Sequence, residues 1–252
     1  MHRIFIFDSS MANLTVDIGN TLIKVAIFEK EELMKITSLD EWQYNDIKSF
    51  IAGNELDHII VSSVRKDISL IISDLNNTGA KIIELSHKSC LPFKIDYLTP
   101  ETLGIDRIAA LLGGCRIKPN SDLLVIDIGT CITYDLLINN HFIGGNIAPG
   151  IQMRATAMHE YTQKLPYIEV EKTSKEIGQS TKEAINIGAF WGVIYEIKSI
   201  VSRYRVEYPK IECIITGGGA DFLRDKLEKE LDNIHYDRHI LLRGLNSLPQ
   251  FL

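Results

Sequence analysis

The sequence lacks the cysteine and histidine patterns that build metal sites. Its four cysteines, Cys90, Cys115, Cys131 and Cys213, form no Cys-x-x-Cys pair, so neither a structural zinc site nor a dithiol redox motif is encoded. The seven histidines show no metal-ligand spacing; His58, His87, His159 and His235 read as surface or loop residues. Cys131 and Cys213 fall in apolar stretches, where a buried free thiol is the ordinary reading. A reducing cytoplasm fits that usage. Apolar runs long enough to span a bilayer are also missing, and the opening stretch Met1 to Phe7 is too short for a secretory signal. Basic clusters are absent as well. The 27 Lys and Arg residues lie scattered among 33 Asp and Glu, for a net charge of −6. Sequence-independent nucleic-acid binding needs a basic face, so neither nucleic acid nor membrane is expected as a partner. A small anionic ligand stays open, because a site needs only local positive groups.

What is present suits a folded protein. Apolar residues make up 45% and charged residues 24% of the 252, enough for two modest domains or one large one. No Gly- or Pro-rich linker separates them. The turn-forming stretch Lys118-Pro119-Asn120-Ser121 is the expected division, giving a first domain over 13–118 and a second over 119–252. Residues 1–12 read as an appendage. Met11 lies just before the first strand and offers an alternative start; a short extra strand or a disordered arm is the other reading.

The most informative feature is a short signature that occurs twice. Asp17-Ile18-Gly19-Asn20-Thr21 follows the strand-like Leu14-Thr15-Val16, and Asp127-Ile128-Gly129-Thr130 follows Leu123-Leu124-Val125-Ile126. Each precedes a second apolar strand. The Gly allows a tight turn, backbone N–H groups and a Thr hydroxyl face an anion, and the Asp suits a divalent cation. Two such hairpins suffice to clamp a nucleotide's phosphates and its Mg²⁺. A single copy would be matched as well by an ordinary ligand-free hairpin turn.

The surrounding pattern is duplicated too. Strands are expected at 13–19, 21–28 and 31–37, then a helix at 40–52, a strand at 58–63, a helix at 67–78 and a strand at 81–85. A helix over 103–116 crosses between the halves. The second half repeats the order: strands at 122–128, 131–138 and 141–148, helix at 150–163 broken at Pro166 and resumed at 180–206, strand at 211–216, helix at 220–232, and a last strand near 238–242. Hairpin-linked strands followed by helix-linked ones imply α/β domains, each a mixed five-stranded sheet with helices on its faces.

In order along the chain stand Asp17-Ile18-Gly19-Asn20-Thr21, Gly104-Ile105-Asp106-Arg107, Asp127-Ile128-Gly129-Thr130, Gly144 to Gly150, Ser180-Thr181 and Thr216-Gly217-Gly218-Gly219. This series resembles the type III pantothenate kinases, within the actin-like (ribonuclease H-like) ATPase superfamily that includes acetate and sugar kinases. The Gly-x-Asp-Arg element between the two Asp-x-Gly motifs separates that family from the sugar kinases. The resemblance covers almost all of 13–245. It implies ATP-dependent phosphorylation of pantothenate, the first step of coenzyme A biosynthesis.

The resemblance also implies roles. Asp17, Ile18, Gly19, Asn20, Thr21, Leu22, Ile23 and Lys24 would bind ATP, with Thr130 as a further contact; Lys24 either adds a cation or faces solvent. Asp106 is the expected catalytic base, since a carboxylate there can accept the proton of an attacking primary hydroxyl. Taken alone, Asp106 reads equally as a helix cap. Arg107 suits the pantothenate carboxylate, which a guanidinium fork holds in bidentate geometry. Gly104, Ile105 and Tyr97 would also contact pantothenate. Asp127 would hold a cation. The family needs a monovalent ion, K⁺ or NH₄⁺, besides the Mg²⁺ that accompanies ATP, and the sequence leaves their division between Asp17 and Asp127 open. Thr181 would reach pantothenate from the neighbouring subunit of a homodimer, and the apolar helix Ala184 to Val201 suits either that interface or a core. Gly217-Gly218-Gly219 lies where the superfamily binds adenosine. Two other readings stay open: a non-enzymatic regulator, and a kinase for a sugar or another small polyol.

Overall fold

The computed structural model describes residues 11–65 and 67–252. The expected appendage lies outside the described residues except for its last two, and Ala12 already opens the first strand.

Contacts divide the chain into two units. The first comprises the chain up to Pro92, Thr99–Arg116 and Leu241–Leu252; the second comprises Phe93–Leu98 and Ile117–Ile240. The sequence division at 118/119 differs from this chiefly at two segments, Phe93–Leu98 and Leu241–Leu252. Each pairs or packs with an element distant in sequence, which local patterning does not reveal.

In the first unit, β1 (Ala12–Ile18), β2 (Ile23–Glu29), β3 (Glu32–Leu39), β4 (Leu56–Ser63) and β5 (Lys81–Glu84) form one sheet in the order β3-β2-β1-β4-β5. The β1–β2 and β2–β3 pairs are antiparallel, and β1–β4 and β4–β5 are parallel. The central strand β1 is buried on both faces, as its β-branched run requires. Helices α1 (Tyr44–Ile51) and α2 (Ser69–Asn76) bury Ile47, Ile71 and Leu75 against Leu14, Val16, Ile27 and Ile59. Helix α3 (Ile105–Ile117) is buried from Arg107 to Gly114. Helix α7 (Ile240–Ser247) lies so close to it that a Cβ at Gly244 would collide with the carbonyl of Ala109. That close approach holds Leu241–Leu252 in the first unit.

The second unit repeats the plan. Strands β7 (Leu123–Ile128), β8 (Cys131–Ile138), β9 (His141–Pro149), β10 (Glu212–Thr216) and β11 (Ile234–Tyr236) stand in the order β11-β10-β7-β8-β9. This is the order of the first sheet, with the same parallel and antiparallel pairs. One strand more than the expected five is present: β6 (Lys94–Ile95) adds in parallel to the edge of β9. Asn139 and Asn140 join β8 to β9 with φ of 51° and 61°, the left-handed pair a two-residue hairpin needs.

Helices α4 (Ile151–Glu160), α5 (Thr181–Glu207) and α6 (Gly218–Glu230) complete the second unit. Ser180 caps α5: its hydroxyl accepts from Glu183 N–H at 3.3 Å. By length and composition alone α5 could cross a membrane. It is nonetheless a core helix, burying Phe190, Val193, Ile194, Ile197 and Val201 against Ile126, Tyr134 and Ile215. Burial of the Cys213 thiol between these layers pushes its pKa up to about 12, which makes it inert.

One expected element is corrected. The last strand is not near 238–242 but at Ile234–Tyr236, and α7 occupies the later stretch. The apolar run Ile240-Leu241-Leu242 reads as a strand by composition, and a short run of that kind does not reveal its period. With Leu245 and Leu248 also buried, the spacing is helical, and Asp237 accepts from His239 N–H at 2.8 Å just before it.

Candidate active site

Asp17 sits at the C-terminal end of β1, one residue before the hairpin. The turn that follows is closed by Gly19 N–H donating to Leu22 O at 3.0 Å. It exposes Asn20, Thr21 and Leu22, while Ile18 and Ile23 are fully buried. These two isoleucines therefore have only backbone to offer a ligand. Lys24 stands directly opposite Asp17 in the register, and cross-strand pairs share a face. Its charge acts on Asp17 rather than being lost to solvent.

Asp17 is only 7% exposed. Burial pushes its pKa up to about 6, with a smaller upward push from the like charge of Asp106; the Ser62 hydrogen bond and the Lys24 charge oppose them. Ser62 lies on β4 in register with Asp17 and donates to its Oδ1 at 2.8 Å. A buried carboxylate beside a hydroxyl is a hard oxygen donor set, and it suits Mg²⁺ shared with phosphate oxygens. Among the described residues no group of three His, Cys, Asp or Glu side chains gathers. A single carboxylate completed by substrate oxygens and water is the arrangement that Mg²⁺ tolerates.

Asp106 occupies the first turn of α3. Its Oδ1 accepts from Arg107 N–H at 2.9 Å, which fixes the carboxylate at the helix start. Gly104 makes room for it, since a Cβ there would collide with Asp106 Oδ1. Arg107 is 4% exposed. The first unit thus brings together Asp17, Lys24, Ser62 and Asp106.

In the second unit Asp127 and Thr130 mark the matching turn. Gly129 N–H donates to Cys131 O at 2.9 Å, and Gly150 N–H to Thr130 O at 3.0 Å. Thr130 is exposed. Thr216 stands opposite Asp127 in the parallel register, where Ser62 stands opposite Asp17. Gly217 then turns at a φ of +89° and presses on this hairpin; a Cβ there would strike Asp127 Oδ1 and Ile128 O. A Cβ at Gly218 would meet open space. The start of α6 stands beside the second turn, and the first-turn N–H groups of a helix are of the kind that suits an anion. Tyr97 follows β6 and stacks on Phe142, with centroids 5.8 Å apart and planes 2° from parallel. Thr181 is exposed at the first position of α5.

The sequence profile of the type III pantothenate kinases matches residues 13–203. The chain belongs to the type III pantothenate kinase family. It is 36% identical over 240 residues to the type III pantothenate kinase of Phocaeicola vulgatus, covering 95% of this chain and 98% of that one. Its likeness to the enzyme of Flavobacterium johnsoniae is 34% over 244 residues, covering 94% and 97%. Among solved structures it resembles a conserved Baf family protein of Campylobacter jejuni, described as a transcriptional activator, with a TM-score of 0.58, 24% identity and coverage of 94% and 97%. It also resembles a ROK family glucokinase of Streptomyces griseus, with a TM-score of 0.56, 12% identity and coverage of 94% and 98%. These two likenesses carry the fold: duplicated actin-like domains.

Two supports of this pantothenate kinase escaped the motif reading. One is Ser62, which lies opposite Asp17 near the end of β4 as Thr216 lies opposite Asp127 at the end of β10. The other is a network behind the second turn. Glu196 accepts from Tyr134 Oη and from Arg154 Nη2, both at 2.6 Å, and Arg154 Nε donates to Pro149 O at 2.9 Å. Burial and the Glu196 carboxylate raise the Tyr134 pKa, keeping the phenol a donor. The network ties α4 and α5 to the chain just before Gly150, and no local motif signals it.

Proposed function

We propose that this type III pantothenate kinase transfers the γ-phosphoryl group of ATP to the primary hydroxyl of pantothenate with Asp106 as the base. The supporting observation is the proximity of Asp106 to Asp17: its charge is felt at a buried carboxylate one residue from the phosphate-type turn. The hydroxyl oxygen forms a bond to the γ-phosphorus, the bond from that phosphorus to the β,γ-bridging oxygen breaks, and ADP leaves. The hydroxyl proton passes to Asp106. A carboxylate is a weak base, so this residue acts chiefly by orienting the hydroxyl and accepts the proton late.

The turn from Asp17 to Lys24 cradles the phosphates through the N–H groups and side chains of Asn20 and Thr21, with Thr130 as a further contact. Asp17 is the residue that would hold Mg²⁺, which supplies charge neutralisation at the β- and γ-phosphate oxygens. Asp127 holds the monovalent cation, K⁺ or NH₄⁺. Gly104, Ile105, Arg107 and Tyr97 receive pantothenate. Thr181 completes the site of a second copy in a homodimer; its exposure at the start of α5 supports that reading, as do the exposed apolar residues Tyr195 and Val206 on the same helix. The free cysteines support work in the cytoplasm.

ADP release, followed in potassium and in sodium, with and without pantothenate, tests the proposal. Pantothenate-dependent turnover that potassium supports and sodium does not is expected. Turnover with a sugar or polyol but none with pantothenate would overturn the substrate. Equal rates in both salts would remove the monovalent site.

A further inference from the structure

The two phosphate-type turns are braced differently. In the second unit, the residue after the β10 hydroxyl is Gly217, and glycine backbone packs on the turn. At the corresponding place in the first unit, the chain continues Ser63-Val64-Arg65. Val64 N–H donates to Ile18 O at 3.1 Å. The Arg65 side chain then reaches the next two carbonyls, Nε donating to Gly19 O at 2.8 Å and Nη2 to Asn20 O at 3.4 Å. The Ser63 hydroxyl accepts from Arg65 N–H at 3.0 Å and sets where that side chain starts.

Three successive carbonyls, those of residues 18, 19 and 20, therefore point to one short segment. A peptide unit is planar and trans, so its N–H points opposite to its C=O. Carbonyls of Gly19 and Asn20 turned toward Arg65 leave the N–H groups of Asn20 and Thr21 turned away from it. Those are the donors an anion would use. The guanidinium also places a permanent positive charge against the turn, in a chain whose net charge is −6.

We propose that Arg65 is a positioning residue of this kinase: it orients the Gly19-Asn20-Thr21 backbone so that its N–H groups face the nucleotide phosphates. The inference rests on the reading that residues 17–24 hold ATP. Arg65 acts through the turn and has no part in placing pantothenate.

Steady-state kinetics of Arg65→Ala and Arg65→Lys, with a melting curve for each, test it. Arg65→Ala is expected to raise KM for ATP about tenfold or more, the loss that follows removal of a charge-assisted hydrogen bond, while KM for pantothenate and Tm stay near wild type. Added ethylguanidinium is expected to lower the KM for ATP of Arg65→Ala toward the wild-type value. Arg65→Lys keeps the charge without the fork and is expected to fall between the two; it carries the test if the alanine variant does not fold. An unchanged KM for ATP, or equal rises in both KM values with a lowered Tm, would overturn the proposal. Thr21→Ala separates this failure from failure of the underlying reading. If Thr21→Ala weakens ATP binding and Arg65→Ala does not, only the role of Arg65 falls. If neither does, the turn does not hold ATP.

Discussion

Ser62 Oγ donates to Asp17 Oδ1 at 2.8 Å across the parallel β1–β4 register. This bond partly offsets the burial of the Asp17 carboxylate, yet the pKa still stands at about 6. If Asp17 holds the cation proposed above, its burial sets metal affinity against stability at one position.

Stability should reveal that conflict. The unfolded chain releases the Asp17 proton near 3.8 and the folded chain near 6. Between those values the folded state holds more protons, so this residue's contribution to stability falls as pH rises and is lowest above about 6. Asp17→Asn removes the penalty. It is expected to raise stability above pH ~6 by on the order of 2–3 kcal/mol, with no gain below the unfolded value, while turnover is lost. Thermal melts across that range check this; a neutral or lowered Tm at high pH would refute it.

Asp106 acts on the same carboxylate from α3. Asp106→Asn is expected to lower kcat by about a hundredfold or more. It also removes the like charge that raises Asp17, so the pH at which stability levels off should move down. A pH series of melts on this variant reads the shift directly. Retained activity would refute the assignment of the base.

Gly104 gives an independent handle on the placement of that base. Gly104→Ala puts a Cβ against Asp106 Oδ1, so the carboxylate must swing away. The expected result is a lowered kcat with KM for ATP little changed and the fold intact by circular dichroism. Wild-type kcat in this variant would mean that the position of the carboxylate does not matter.

The glycines at the start of α6 should differ sharply. Gly217→Ala meets Asp127 and Ile128 and carries a φ of +89°, and the strain is expected to cost about 1–3 kcal/mol. Gly218→Ala meets open space and suits a helix, so Tm should stay level or rise. If the nucleotide lies against this face, Gly218→Ala will still raise KM for ATP. Paired melts and ATP titrations separate the two effects.

The duplicated Asp-x-Gly turns and the strand runs that lead into them were legible because each is local: a β-branched run followed by a glycine. Their order along the chain, with Gly104-Ile105-Asp106-Arg107 between the turns, was enough to indicate the family. The sequence alone did not reveal what lies across a register or a packing seam. Ser62 meets Asp17 only because β4 runs parallel to β1 in one alignment, and Arg65 reaches the turn only because that strand ends where it does. The β6 edge strand is two residues long and exists by pairing with β9, and α7 was misread because an apolar triplet does not reveal its period until a partner surface selects one. Short-range chemistry writes turns and caps into neighbouring residues, whereas a buried charge takes its pKa from groups that only the folded sheet brings near.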